Sequence, residues 1–384
     1  MNTAEEKERR KLRTWIEIDT EALARNYDIF RRIIGKETRM LAVVKSNAYG
    51  HSLVDFAQVV VSLGVDWLGV DSLVEARTLR KEGVVNTPLL VLGYTLPELL
   101  PEAEEQGISV SISSLSQLRT ALSLPKGNKK LKVHLKVDTG MHRQGFLAPE
   151  MDQVLALVGK YSDSVEIEGV YTHFAEAKNP KQGEKTKNQL KEFKVWCEAL
   201  AQNHPGIIHH AGATGGSMLY PESHFSLARV GIGLYGLWPS LDAEEYLGSQ
   251  FALSPILTWK AVVSEVKRLP MGSAIGYDST EILARDTVTA IIPVGYWHGF
   301  PRVLSGKGRV LIHGQSARVL GRVSMDMIVV DVTDIKEVKE GDVAILIGKS
   351  GERSITAGEI AKIAQTTHYE IVTRLNPKMR RFFL

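Results

Sequence analysis

Met40-Leu41-Ala42-Val43-Val44-Lys45 is a short apolar run, and Leu53–Leu63 behind it sets apolar residues three and four apart. Those two periodicities read as a strand followed by an amphipathic helix. Seven more apolar runs follow: Trp67–Val70, Pro88–Leu92, Ile108–Ile112, Val133–Val137, Val165–Thr172, Ile207–Ala211 and Leu227–Gly231. Helical spacing returns between them at Leu73–Glu82, Gln117–Leu122, Gln153–Lys160 and Gln189–Asn203, and precedes them at Thr20–Ile34. Strands that alternate with helices pair in parallel. Eight repeats with no dinucleotide-binding glycine loop predict an α/β fold, a closed (β/α)8 TIM-like barrel rather than an open doubly wound sheet.

The pattern changes after Pro239. Apolar runs then crowd together with glycine-rich turns at Ile256–Val266, Thr287–Pro293, Arg309–Ile312, Ala317–Leu320, Met327–Val332 and Val343–Ile347. They predict a C-terminal mainly-β domain with one helix near Ala357–Ala364. The expected division is a flexible tail at 1–13, the barrel at 14–240 and the β domain at 241–384. Residues 14–19 are a candidate partner of the β domain, and Leu241–Ser249 reads as a linker.

The chain has 384 residues, enough for two or three domains at roughly 150 each. Its 47 basic and 44 acidic residues leave a net charge of +3, which supplies no electrostatic case for nucleic acid or an anionic membrane. The single cysteine, Cys197, excludes an intramolecular disulfide and a thiolate metal cluster. No apolar run approaches the roughly 18 residues of a membrane span. Met1–Arg13 mixes acid and base and reads as a solvated tail, not a secretory signal. The expectation is a cytoplasmic protein.

In such a barrel, chemistry gathers at the C-terminal ends of the strands. Lys45 ends the first strand, and Tyr49 follows in its loop. A strand-end lysine with its stem in a dry wall is an amine suited to Schiff-base chemistry, although a lysine there can also snorkel into solvent. The fifth strand places Lys132, His134 and Lys136 on one face, turned inward, so buried positive charge there needs compensation. Arg143 follows at the barrel mouth as a fork for a carboxylate. His173 ends the sixth strand; His209 and His210, adjacent on the seventh, face opposite sides and cannot share a metal. No HExxH or EF-hand spacing occurs, so a metal is not expected. Ala211–Ser217 and Arg229–Gly236, after strands seven and eight, have the bare backbone that cradles a phosphate. A Schiff-base lysine, a phosphate cradle and an anion fork together point to pyridoxal 5'-phosphate.

AVVKSNAYGH at Ala42–His51 resembles the cofactor-lysine signature of the alanine racemases. LKVDTGMHRQGF (Leu135–Phe146), YTHFA (Tyr171–Ala175), RVGIGLYG (Arg229–Gly236), GYWHGFPR (Gly295–Arg302) and GRVSMDM (Gly321–Met327) resemble that family in the right order. The resemblance implies a homodimer with shared active sites and interconversion of L- and D-alanine, supplying peptidoglycan. It casts Lys45 as the lysine that holds the cofactor and as the base for the D-enantiomer. Tyr277 of a second copy would be the opposing base, held by His173. It sets Arg229 against the pyridine nitrogen, with His210 behind it. Tyr49, Tyr369, Thr214, Gly231 and Ile232 resemble the phosphate-binding set. Arg143 and Met325 would meet the substrate carboxylate, with Asp326 beside Met325 and Tyr296 narrowing the entrance. Lys136 resembles a lysine that is carbamylated in many members, which would compensate Arg143.

The sequence departs from the family where Ala213-Thr214 replaces Asn-Ser, Trp297 and His298 a small residue and an acid, and Ser324 a frequent cysteine, and Gly276–Ser279 varies around Tyr277. The other readings are a racemase of serine or a basic amino acid, a decarboxylase of the same architecture, and a non-catalytic pyridoxal-phosphate carrier. The β domain with Tyr277 and Met325 argues against a carrier, and the lone cysteine in a barrel helix argues against a decarboxylase.

Overall fold

A computed structural model describes residues 3–159, 163–181 and 183–384. The chain divides into two compact units. One comprises Ala22–Ala48 and Leu53–Pro255; the other comprises the residues up to Glu21, Tyr49–Ser52 and Ile256–Leu384.

The first unit is an eight-stranded parallel barrel. Its strands are Arg39–Val43, Trp67–Val70, Leu89–Val91, Ser109–Ile112, Leu131–Lys136, Val165–Tyr171, Ile208–His210 and Leu227–Val230. Each pairs in parallel with its predecessor up to the seventh, and the eighth returns to the first through Leu41↔Arg229. The seam lies between strands seven and eight. There Arg229 N–H donates to Gly212 O at 3.1 Å, and the Ser226 hydroxyl accepts from His209 N–H at 2.9 Å. Strands two to four are buried on both faces, which is why the second and third read as unbroken apolar runs with no alternation.

Helices follow the strands where apolar spacing foretold them, for example Leu53–Ser62, Leu73–Lys81, Met151–Val158 and Gly183–Ala201. The helical reading of Gln153–Lys160 ends on a residue outside the described ones. Leu241–Ser249, read as a linker, instead holds a helix in the barrel unit, Leu241–Leu247. Ser240 begins it by accepting from Ala243 N–H at 3.1 Å, an N-cap bond that the linker reading passed over.

The second unit is built on a ten-stranded, mostly antiparallel sheet. Leu257–Val262 alternates buried and half-buried residues, the mark of a sheet covered on one face. Thr14–Ile18 lies beside it antiparallel and carries Arg381–Phe383 in parallel on its other edge. The segment read as a solvated tail holds a short helix, Thr3–Arg9, whose Arg9 pairs with Glu17 at 3.1 Å. Ala357–Ala364 is a helix capped by the Thr356 hydroxyl, which accepts from Glu359 N–H at 3.0 Å. Among the described residues, no helix is long and apolar enough to cross a membrane.

Candidate active site

The chain reverses its handedness immediately after Lys45. Ser46, Asn47, Ala48 and Tyr49 all have positive φ, between 49° and 57°, and form one left-handed turn with no glycine in it. L-residues resist that region by roughly 1–2 kcal/mol each, so the surrounding bonds must impose it. Ala48 N–H closes the turn on Val44 O at 2.8 Å. Lys45 stands half-buried where this turn begins. Its side chain is 38% exposed, and its Nζ lies 3.5 Å from Asp71 Oδ1. Asp71 was missed from the sequence, although it directly follows the second strand, the position at which Lys45 was sought on the first.

Arg229 stands inside the barrel, 3% exposed. Its guanidinium donates to Thr172 O at 2.7 Å, Ala211 O at 2.8 Å and His210 O at 3.1 Å. It also donates to His210 Nδ1 at 2.8 Å and lies 5.2 Å from the centre of the Tyr171 ring. Every one of these partners is neutral. Burial therefore draws Arg229 down to about 10, which still leaves it a cation.

An arginine can only donate, so His210 Nδ1 must accept. The remaining His210 Nε2–H then donates to His134 Nδ1 at 2.8 Å, and His134 Nε2–H donates to Glu168 Oε2 at 3.2 Å. Burial lowers both imidazoles and keeps them neutral, as the relay requires. Burial alone would raise Glu168, but His134, Lys132 and Ser109 hold it down at about 2. The carboxylate needed beneath the fifth-strand cations is thus Glu168, on the next strand. Neither it nor the role of His134 was read from the sequence. The available signal was Gly169 inside a strand: a Cβ there would sit 2.3 Å from His134 Nδ1.

Lys136 is 6% exposed and donates to Gln144 Oε1 at 3.0 Å. Burial, and then the charges of Arg143, Arg229 and Lys45, bring it down to about 8. Asp138 shapes the following loop by accepting from the N–H groups of Gly140, Met141 and His142 at 2.9, 3.0 and 2.9 Å. Arg143 projects from that loop and is exposed. His173 approaches Arg229 at 3.5 Å, and burial with nearby cations takes it down to about 3.

At the cradle, the buried Thr214 hydroxyl accepts from Gly231 N–H at 3.0 Å and Gly233 N–H at 3.4 Å. Ile232 is buried beside them. The helix Thr214–Leu219 begins without a side-chain cap, and a Cβ on Gly215 would meet Ala177 O at 2.8 Å. The uncapped first N–H groups of that helix, with the Thr214 hydroxyl proton, make a donor set that fits a phosphate, so the Ala213 departure removes an amide without emptying the cradle.

The β unit carries the other expected site residues. Tyr49 and Tyr369 face each other with ring centres 6.1 Å apart, and burial pushes Tyr49 up to about 12. Tyr277 is 68% exposed on a turn where Gly276, Asp278 and Ser279 have positive φ. Tyr296 and Met325 are exposed as well, and Asp326 is half-buried.

Residues 18–239 match the alanine racemase N-terminal domain, and residues 256–383 match the alanine racemase C-terminal domain. The chain belongs to the alanine racemase family. It is 39% identical over 375 residues to the alanine racemase of Symbiobacterium thermophilum, covering 96% of this chain and 97% of that one. The structure of alanine racemase from Bacillus anthracis with bound L-Ala-P superposes with a TM-score of 0.89 at 30% identity, covering 97% of this chain and 95% of that one. The alanine racemase of Bartonella henselae, solved with covalently bound pyridoxal phosphate, gives 0.86 at 26% identity, covering 97% and 100%. The chain is therefore an isomerase of the alanine racemase family. One of its departures is internal: His298 is buried, and its Nδ1 accepts from Gly295 N–H at 3.2 Å, so it holds its own turn. Trp297, 55% exposed, is the change that reaches the surface.

Proposed function

We propose that this enzyme interconverts L- and D-alanine with pyridoxal 5'-phosphate, as a homodimer that supplies D-alanine for peptidoglycan. The observation that carries the reading is Arg229, a buried cation whose partners are all neutral, in the barrel whose first strand leads into Lys45. Bound through its carbonyl, the cofactor supplies an electron-withdrawing ring that acidifies the α-C–H of an attached amino acid.

The chain's own residues do the rest. Lys45 holds the cofactor and moves the α-proton on one face. Tyr277 of a second copy moves it on the other, and two opposed bases are what racemisation needs. An exposed tyrosine on a strained turn suits a group that acts in a partner's site. Arg229 presents only donors to the pyridine nitrogen and so keeps a proton off it, which restrains the side reactions that a protonated ring promotes. Thr214, Gly231, Ile232, Tyr49 and Tyr369 bind the phosphate, and His173 steadies Tyr277. Arg143 and Met325 orient the substrate carboxylate, with Asp326 behind Met325 and Tyr296 at the entrance. Lys136 is carbamylated: its neutral amine adds to the carbon of carbon dioxide and loses a proton, leaving an anion to face Arg143.

Proton NMR of L-alanine in heavy water, with a chiral assay of the product, tests the reading. Loss of the α-proton signal with D-alanine formed is expected. Exchange of serine or a basic amino acid, with alanine untouched, would overturn the substrate assignment.

A further inference from the structure

Glu75 is the third residue of the helix Leu73–Lys81, where a carboxylate ordinarily turns back to its own N-cap. Here it serves two loops at once. Its Oε2 accepts from Asp71 N–H at 2.9 Å, at the end of the second barrel strand. Its Oε1 accepts from Asn47 N–H at 3.0 Å, in the left-handed turn behind the first strand. Ser72, the N-cap residue, makes no side-chain cap bond, so the helix gives up its usual closure to this bridge. Asn47 passes the restraint on, since its Oδ1 accepts from Leu53 N–H at 2.9 Å, where the next helix begins.

We infer that Glu75 is a positioning residue that sets Lys45 against Asp71. The two partners of that ion pair follow different strands, and Glu75 holds the backbone N–H of Asp71 itself and that of Asn47, two residues after Lys45. The turn after Lys45 has four successive non-glycine residues at positive φ, and Glu75 reaches its middle from outside the turn. Without it, the turn is free to relax toward right-handed geometry, which swings the Lys45 backbone and carries the amine away from Asp71. The consequence for catalysis rests on the proposed role of Lys45 as the amine that holds the cofactor.

Glu75→Gln tests this in the full chain. Whichever way the carboxamide turns, its NH2 faces one of the two backbone N–H groups, so one of the two bonds is lost. Hydrogen exchange resolved to single amides should rise roughly ten-fold or more at Asn47 or Asp71. Val44 N–H, bonded to Gly69 O outside the turn, should keep its protection. The rate at which pyridoxal phosphate is trapped on Lys45 by borohydride, read by peptide mass, should fall roughly ten-fold. Glu75→Asp keeps the charge but is too short to reach both loops, and should fail in the same way. Unchanged exchange at both amides, or trapping at the wild-type rate, overturns the inference, as does exchange raised evenly along Leu73–Lys81 with trapping unaltered. If the wild type takes label at Lys45 but does not racemise alanine, the proposed function fails while the trapping ratio still supports the clamp. If the wild type takes no label, the role of Lys45 is refuted, and exchange at Asn47 and Asp71 alone upholds or overturns the clamp.

Discussion

Replacing Glu168 by glutamine should destabilise the barrel by about 3 kcal/mol, and the relay shows why. The carboxylate receives three donors: Lys132 Nζ at 2.8 Å on Oε1, His134 Nε2 at 3.2 Å on Oε2, and the Ser109 hydroxyl, also on Oε2. A carboxamide of the same shape keeps one oxygen and turns an NH2 toward the other side. If the oxygen stays on Lys132, the fully buried His134 Nε2–H faces a second donor. A buried donor left unpaired costs about 1–3 kcal/mol. The lost charge adds about 1 kcal/mol, held low because Lys132 is 41% exposed and screened by water. His134 cannot escape by changing tautomer, because Nδ1–H would then meet the Nε2–H of His210, whose own state Arg229 fixes.

The assay is thermal or urea unfolding of the wild type and Glu168→Gln. At about 2–4 °C per kcal/mol, the midpoint should fall by roughly 6–12 °C near neutral pH. The folded pKa of Glu168 is depressed, so its contribution is fully present above the unfolded value of 4.5 and lost as pH falls toward about 2. The gap between the two proteins should therefore close across that interval. Near-equal midpoints at neutral pH, or a gap that stays constant into acid, would refute the directed relay.

Three further outcomes follow from the same geometry. Lys45→Ala should lose both the absorbance of bound cofactor and racemisation, whereas Tyr277→Phe should keep the absorbance and lose racemisation by roughly 10²–10⁴-fold; normal turnover by Tyr277→Phe would remove the second base. Gly169→Ala should cost about 3 kcal/mol in unfolding, because its Cβ would lie 2.3 Å from a His134 ring that the relay holds in place; a midpoint within a degree of wild type would show that ring to be mobile. Lys136 lies near 8, so roughly a tenth of it is neutral at pH 7 and open to carbon dioxide; native mass spectrometry should show one added carbon dioxide, and an unmodified mass would rule the carbamate out.

The barrel was legible because most of its strands are apolar runs followed by a helix of 3.6-residue period, a pattern that parallel pairing leaves in the sequence. The position of Lys45 was legible for the same reason, since a strand end can be found by where the run stops. Its surroundings were not. Asp71 lies 26 residues further on, and the left-handed turn carries no glycine to announce it. Glu168 belongs to Val165–Tyr171, read as a strand, but its orientation depends on a register shift between Val133 and His134 that brings His134 opposite Gly169. A sequence shows which residues alternate along one strand and is silent on which residue of the neighbour each one meets. The relay spans four strands, so its register had to come from the folded chain, and the buried polar face of the fifth strand was visible only as a demand for a carboxylate from elsewhere. That demand was itself informative: an apolar barrel could not have kept His134, Lys136 and Arg229 inside without an acid and a set of carbonyl oxygens to meet them.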